Sequence, residues 1–207
     1  MRTPSRHHAE HSVVLSALAL CLSVALLSGC TATPTPTVTA PATTAATPRA
    51  NTEPAEASPV FASNDEALAA AEAAYSAYEA LSDTITSEGG IGGDRIAIAA
   101  SAAYLPELLA GFEGFSETGL ISRGTTTYDE ASLIRSAPEP QGGVRIELYL
   151  CSDISAVRLY DASGNDKTPV DRTNRIPLQV GFVSSATEPF LLLIDKEDVW
   201  SGRNFCQ

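Results

Sequence analysis

Hydrophobic and polar positions divide the chain into three stretches of different periodicity. From Val13 to Leu27 every residue is apolar except Ser16 and Ser23, and Arg2 and Arg6 precede the run. A charged start followed by a short apolar segment is the pattern of an export signal. As a helix the run would span about 22 Å, short of the roughly 30 Å hydrocarbon core of a bilayer. From Thr31 to Val60 no period remains. Nine Thr, eight Ala and six Pro make up 23 of these 30 residues, a composition that buries no core. The tract reads as a disordered tether reaching roughly 30 Å as a coil and at most about 90 Å if fully extended.

The third stretch begins with a helical period. Ser63-Asn64-Asp65-Glu66 has the spacing of a capping box, and Leu68, Ala71, Tyr75, Tyr78 and Leu81 follow on one face. This predicts a helix to about Asp83 with its aromatic stripe inward. Gly89-Gly90 and Gly92-Gly93 break it. Asp94 is placed to cap a second helix through Ile96, Ala99, Ala100 and Ala103, and Pro106 to open a third through Leu109 and Phe112. After Gly119 the period shortens to two. Val144, Ile146, Leu148 and Leu150 alternate with more polar neighbours, as do Ile176, Leu178, Val180 and Phe182. Thr125 to Ser136 reads as a weaker strand, Val157 to Tyr160 as a short one before a Ser163-Gly164-Asn165 turn, and Phe190 to Ile194 as a continuous apolar one. Helices followed by strands at hairpin spacing predict an α+β domain, with N-terminal helices packed on an antiparallel sheet.

The tetrapeptide Leu27-Ser28-Gly29-Cys30 changes how the first stretch is read. Ordinary signal cleavage after Gly29 would place Leu27 where a small residue is required. The four residues resemble the lipobox of bacterial lipoproteins. That resemblance implies a diacylglyceryl group on the Cys30 thiol, fatty acylation such as palmitate, and cleavage just before Cys30. It places the chain on the extracytoplasmic face of the cell membrane. Two acyl chains are also what stable anchoring requires. The expected organisation is a signal over 1–29, a tether over 30–62 and a globular domain over 63–207.

Cleavage there would remove His7, His8 and His11, every histidine of the sequence. Ser-His-Asp and Cys-His catalysis, and His-ligated metals, are then excluded. Lys+Arg falls to 11 and Asp+Glu to 24, a net charge of −13, which argues against nucleic acid and anionic lipid headgroups as partners. With Cys21 in the signal and Cys30 acylated, Cys151 and Cys206 remain as an even pair, expected to be disulfide-bonded outside the cell. No cofactor or metal is expected. Gly89 to Gly93 lacks the Lys-Ser/Thr of a phosphate loop. Asp161 to Asp166 fails as a calcium loop, with Asp166 where Gly is needed and Arg172 where an acid is needed. Asp195-Lys196-Glu197-Asp198 reads as a solvated loop.

Three N-terminal helices, several antiparallel strands, a Cys-x-Asp-x-Ser at Cys151, Asp153 and Ser155, and a Trp and a Cys near the end resemble the nuclear transport factor 2-like cone fold, found in exported actinobacterial lipoproteins. The resemblance implies helices on a curved antiparallel sheet, with functions ranging from isomerases to non-catalytic binding modules. In enzymes of this fold an Asp and a Tyr can act together inside the cone, which makes Asp153 with Tyr149 or Tyr128 the set to examine. Asp153 sits just past a strand end, where an Asp commonly accepts from turn amides. Tyr75, Tyr78, Tyr104, Phe112 and Phe115 are candidates to line an apolar ligand pocket. The resulting expectation is a lipid-anchored surface module that binds an envelope protein or an apolar small molecule without catalysis. The rivals are a His-free isomerase or lyase using Asp153 and a Tyr, and a structural envelope component.

Overall fold

A computed structural model describes residues 59–206. Signal, Cys30 and tether up to residue 58 lie outside the described residues. The chain joins the core at Val60 and Phe61, just ahead of the expected boundary, with Phe61 buried. Helix α1 then runs over Asn64–Ser87. The Ser63 hydroxyl accepts from the Glu66 amide at 3.1 Å and the Glu66 carboxylate accepts from the Ala62 amide at 2.8 Å, so the capping pair closes the helix start. Its buried face is Ala67, Ala71, Tyr75, Tyr78 and Ile85; of the predicted stripe Ala71, Tyr75 and Tyr78 lie on it, whereas Leu68 and Leu81 are only half-buried at its margin.

The second predicted helix is a 3-10 turn only, Gly93–Ile98. Its expected continuation is drawn into the sheet instead. Ile194 donates to Ala99 at 2.9 Å and Ser101 donates to Ile194 at 2.8 Å, so Ala100 pairs as an isolated bridge. Sheet pairing outcompetes the helical propensity of the alanines there. Pro106 stands in the first turn of α2, Leu105–Glu117. Gly90 (φ +80°) lets the preceding loop press on α2, since a Cβ there would lie 2.4 Å from the Phe112 carbonyl oxygen.

Six strands follow: β1 Ile121–Arg123, β2 Thr127–Pro138, β3 Val144–Asp153, β4 Arg158–Tyr160, β5 Arg175–Val183 and β6 Leu193–Val199. The main sheet is antiparallel in the order β2-β3-β5-β6, and β1 pairs with β4 in a small second sheet. The domain is therefore α+β, with helices on one face of a curved antiparallel sheet. Ile146, Leu148, Leu150, Leu178, Val180 and Phe182 face α1 and form the core with its stripe.

The opposite face of β3 is covered by the chain's own end. Tyr149 meets Trp200 and Phe205 edge to face, with ring centroids 5.0 and 5.6 Å apart. The Trp200 amide donates to the Pro177 carbonyl at 2.8 Å. Cys151 and Cys206 form the disulfide, with Cα atoms 5.5 Å apart. The bond fastens this tail to a central strand across a sequence separation of 55, worth about 4 kcal/mol by loop-closure entropy. Cys206→Ser should lower the urea midpoint by an amount corresponding to about 2–4 kcal/mol. Alkylation of the native oxidised domain, read by intact mass, should find no free thiol at either position.

Candidate functional site

β6 begins later than the apolar run suggests and contains the charged run Asp195 to Asp198. That stretch is a strand and not the solvated loop that its composition predicts. Between Gly181 and Phe182 of β5 the paired residue jumps from Lys196 to Ile194, so Asp195 is an extra residue. A bulge of this kind reverses side-chain alternation. Ile194 faces α1 opposite Phe182, and beyond the bulge Glu197, opposite Val180, faces α1 as well. Asp195 is pinned by the Ser101 hydroxyl at 2.6 Å and by Arg145 at 2.8 Å.

Glu197 thus enters a group of phenols. The Tyr75 hydroxyl donates to its Oε2 at 3.0 Å. Tyr78 on α1 and Tyr104 ahead of α2 stand near the same carboxylate, and Glu79 lies one helical turn from Tyr75. Burial raises the Glu197 carboxyl above the usual range, partly offset by the Tyr75 hydrogen bond. Burial first, and the Glu197 charge second, push Glu79 up to about 7. The hydroxyls of Tyr75, Tyr78 and Tyr104 are raised by burial and then by Glu197, so all three stay neutral. Two carboxylates around one phenol cannot both ionise cheaply, and a proton is retained up to neutral pH. Glu79 also borders a cleft of about 300 Å³ with Ser76, Thr126 and Tyr128. The Tyr128 hydroxyl donates to the Glu72 carbonyl at 2.9 Å and lies 2.9 Å from the Ser76 hydroxyl. Its ring meets Tyr75 edge to face at 5.1 Å.

The expected catalytic set is not assembled. Asp153 shares a face of β3 with Cys151 and Tyr149, whereas Tyr128, paired with Ser152, points to the helical face. Asp153 accepts from the Ser155 amide at 2.8 Å and contacts Arg175 at 3.4 Å. Ser155, chiefly through that amide, and then Arg175 hold its carboxyl below the usual range. Tyr149 is engaged in the aromatic cover over the disulfide. Asp161 accepts from the Asn165 side chain at 3.0 Å and from the Asn165 and Ser163 backbone amides, both at 2.9 Å, and is thereby held down to about 2, so its carboxylate closes its own turn. Among the described residues no group of three His, Cys, Asp or Glu could hold a metal.

The expected aromatic pocket is also filled. Tyr75, Tyr78 and Phe112 are buried in the core, Tyr104 packs against it, and Phe115 is only half-buried. A larger recess lies elsewhere, on the other side of α1. It is an open groove of about 590 Å³ with a floor of Ala70, Ala73, Ala74, Ala77 and Ala80. Its wall is Ile98, Ala99 and Phe190 to Leu192. Ile98, Phe190 and Leu191 are 78, 68 and 49 % exposed. The run predicted as a strand from Phe190 therefore opens with two exposed apolar side chains, and β6 starts after them. Phe61 anchors Phe190 at 5.8 Å between ring centroids.

No protein-family model matches this sequence, and comparison with curated proteins gives no match. Among solved structures, the intermembrane-space region of the chloroplast protein ARC6 aligns at 14 % identity and a TM-score of 0.43, covering 65 % of this chain and 97 % of that one. A periplasmic fragment of TraM aligns at 14 % identity and a TM-score of 0.43, covering 66 % and 96 %. Similarities of this size leave function to be read from the site itself.

The carboxyl pair gives stability a particular pH dependence. A folded-state pKa raised above its unfolded value contributes stability that is full below the unfolded pKa and is lost as pH rises through the folded one. Stability should therefore fall between about pH 4.5 and pH 7 as Glu79 ionises, by about 2 kcal/mol allowing for partial exposure. Asp153 and Asp161, held low, act oppositely and lose their contribution as pH falls below their ordinary range. Urea midpoints should peak near pH 4–5, and Glu79→Gln should flatten the decline on the alkaline side.

Proposed function

We propose that this chain is a lipid-anchored extracytoplasmic module that works by non-catalytic binding of an apolar surface, held to the membrane through Cys30. One observation carries the binding role: the open apolar groove along α1. Monomeric domains seldom expose large apolar side chains side by side unless something covers them. Here three of them rim a floor of methyl groups. The floor is rigid, being one face of a 24-residue helix, and the rim is held by Phe61 and by the start of β6. The lipobox-like tetrapeptide supports the anchor, and among the described residues no helix is long and apolar enough to cross a membrane.

A second reading rests on Glu79. A carboxyl held near 7 beside a cleft has the proton affinity that general acid-base work needs in a protein whose histidines all lie ahead of Cys30. The cleft has about half the volume of the groove, which is why the groove is preferred.

Two measurements test the proposal. Metabolic labelling with a fatty acid should mark the wild type and miss Cys30→Ala; label on the variant would remove the anchor from the proposal. Nile red, a neutral apolar probe, should bind saturably to the domain, and both Ala77→Arg and Phe190→Ala should weaken this about tenfold or more. Ala77 and Phe190 are exposed, so neither variant should unfold the domain, and circular dichroism would confirm that. Dye uptake unchanged in both variants would refute the groove as a binding surface.

A further inference from the structure

The small β1–β4 sheet gathers cations that find no carboxylate. Residues 59–206 hold twenty-two acids and ten cations. In such an excess of acids a cation readily finds a partner, and Arg95, Arg135, Arg145, Lys167, Arg175 and Lys196 all form ion pairs. Four arginines form none among the described residues. Arg203 is in the C-terminal tail; the other three, Arg123, Arg158 and Arg172, belong to β1, β4 and the loop before β5.

Arg123 and Arg158 are directly opposite in the β1–β4 pairing, so their side chains leave the same face. Like charges in that position are unfavourable. The Arg123 guanidinium lies over the Tyr160 ring, 5.1 Å from its centroid, and Arg158 reaches instead to the turn that precedes β4. Its Nη1 donates to the Ser155 and Val157 carbonyls at 2.7 and 2.9 Å. Arg172 arrives at the same turn, with Nη2 donating to the Ile154 and Val157 carbonyls at 2.7 and 2.5 Å. Two guanidiniums therefore share one carbonyl oxygen. They line a recess of about 270 Å³ together with Asn174 and Asp166. Its walls are fixed by pairing on both sides: the Leu159 amide donates to the Thr168 hydroxyl at 2.9 Å, and the Ile154 amide to the Asn174 carbonyl at 2.9 Å.

The carbonyls occupy only part of each guanidinium. Arg158 keeps Nε and Nη2 free of acceptors among the described residues, and Arg172 keeps Nη1. Asn174 accepts from Arg172 Nε through its Oδ1 at 2.9 Å, which leaves its amide nitrogen as a further donor. Nε and Nη2 form the guanidinium edge that grips two oxygens of one anion. Asp166 is the one acid lining the recess. Its carboxylate is turned to the Thr168 amide at 2.8 Å and is held below the usual range by Thr168 first, then by Arg158 and Arg172. It feels both charges without pairing with either. Asp161 is taken by Lys167, and Asp171 does not line the recess. Three guanidiniums against Asp166 leave two positive charges. A carboxylate would halve them, whereas a phosphate monoester, at about −1.5 to −2 near neutral pH, would balance them.

We propose that this recess binds a phosphate group, inorganic or carried on a small soluble ester, through Arg158 Nε and Nη2, Arg172 Nη1 and the Asn174 amide, with Arg123 adding charge from β1. None of these residues lines the groove along α1, so the site is independent of the binding role proposed above. The acidic balance of the whole chain does not forbid it. Screening acts over about 8 Å at physiological ionic strength, so a group inside the recess is governed by the guanidiniums beside it. An anionic membrane would meet the whole acidic surface, which favours a soluble ligand.

Inorganic phosphate and glycerol phosphate are titrated by calorimetry into the full chain in neutral maltoside micelles, with acetate as the control. The Nε–H signals of isotope-labelled arginine are followed in parallel. Both phosphates should bind saturably, at least about tenfold more tightly than acetate, and should move the Arg158 Nε–H signal. Arg158→Gln and Arg172→Gln should each weaken binding about tenfold. Asp166→Asn removes the competing charge and leaves both arginines, so it should tighten binding about threefold. Because Arg172 also fastens the turn, this gain is the response that a loosened loop would not produce. Absence of saturable binding, affinity unchanged in both arginine variants, or weaker binding in Asp166→Asn would overturn the site. Acetate binding as tightly as phosphate would overturn the assignment to phosphate. Displacement of glycerol phosphate by phosphatidylglycerol vesicles would make the source a lipid headgroup and overturn the soluble one.

Discussion

The hydrogen bond from Tyr75 to Glu197 joins the longest helix to the edge of the sheet, and much of the domain is arranged around it. A carboxylate turned toward an apolar interior is costly unless a donor meets it or a proton neutralises it. Here both remedies operate, because the phenol donates and burial keeps the acid's proton affinity high. The bulge at Asp195 makes the contact possible, and the bulge is itself held by Ser101 and Arg145. Ser101 in turn is drawn to the sheet by its amide's bond to Ile194, which accounts for the short 3-10 turn where a full helix was expected. Two acids of β6, Glu197 inward and Asp195 at the bulge, thus link α1, the segment before α2 and β3 to that strand.

The same two elements form the groove. Its floor is the side of α1 around Ala77, turned away from Tyr75, and its wall is the run that leads into β6. A fixed spacing between α1 and β6 therefore fixes the width of the recess. Reading the groove as the functional surface, and the phenol–carboxyl cluster as the element that holds it in shape, assigns each a role without requiring chemistry at either.

Much of this was legible in the sequence. The helical stripe from Ala71 to Tyr78, the alternation of β3 and β5, the proline opening α2 and the Cys151–Cys206 pair all follow from periods and counts that local physics enforces. Glu197 was not legible, because a run of four charged residues reads as solvated and nothing in it marks a bulge. Glu79 carried a weak signal, standing four residues after an inward Tyr75, but its partner comes from 118 positions away. Tyr128 and Asp153 fall on opposite faces because each is fixed by strand parity, which the sequence does not display without the register. Among the alanines of α1 the helical period singles out only the inward Ala71. Ala70, Ala73, Ala77 and Ala80 form a second stripe that a helical wheel would have shown, although the wall that makes it a groove comes from Ile98 and Phe190.

The bulge has one more consequence, for the edges of the sheet. β2 and β6 are the outermost strands, and both are irregular. β2 slips register twice, with Glu130 held at φ 54°. β6 is bulged, carries an exposed lysine and is closed off at its start by Ala100. A flat open edge invites another chain to add a strand, and such edges nucleate aggregation where molecules crowd together. Neither border of this sheet offers a straight template. Many copies could be held side by side on one surface without zipping together through their backbones.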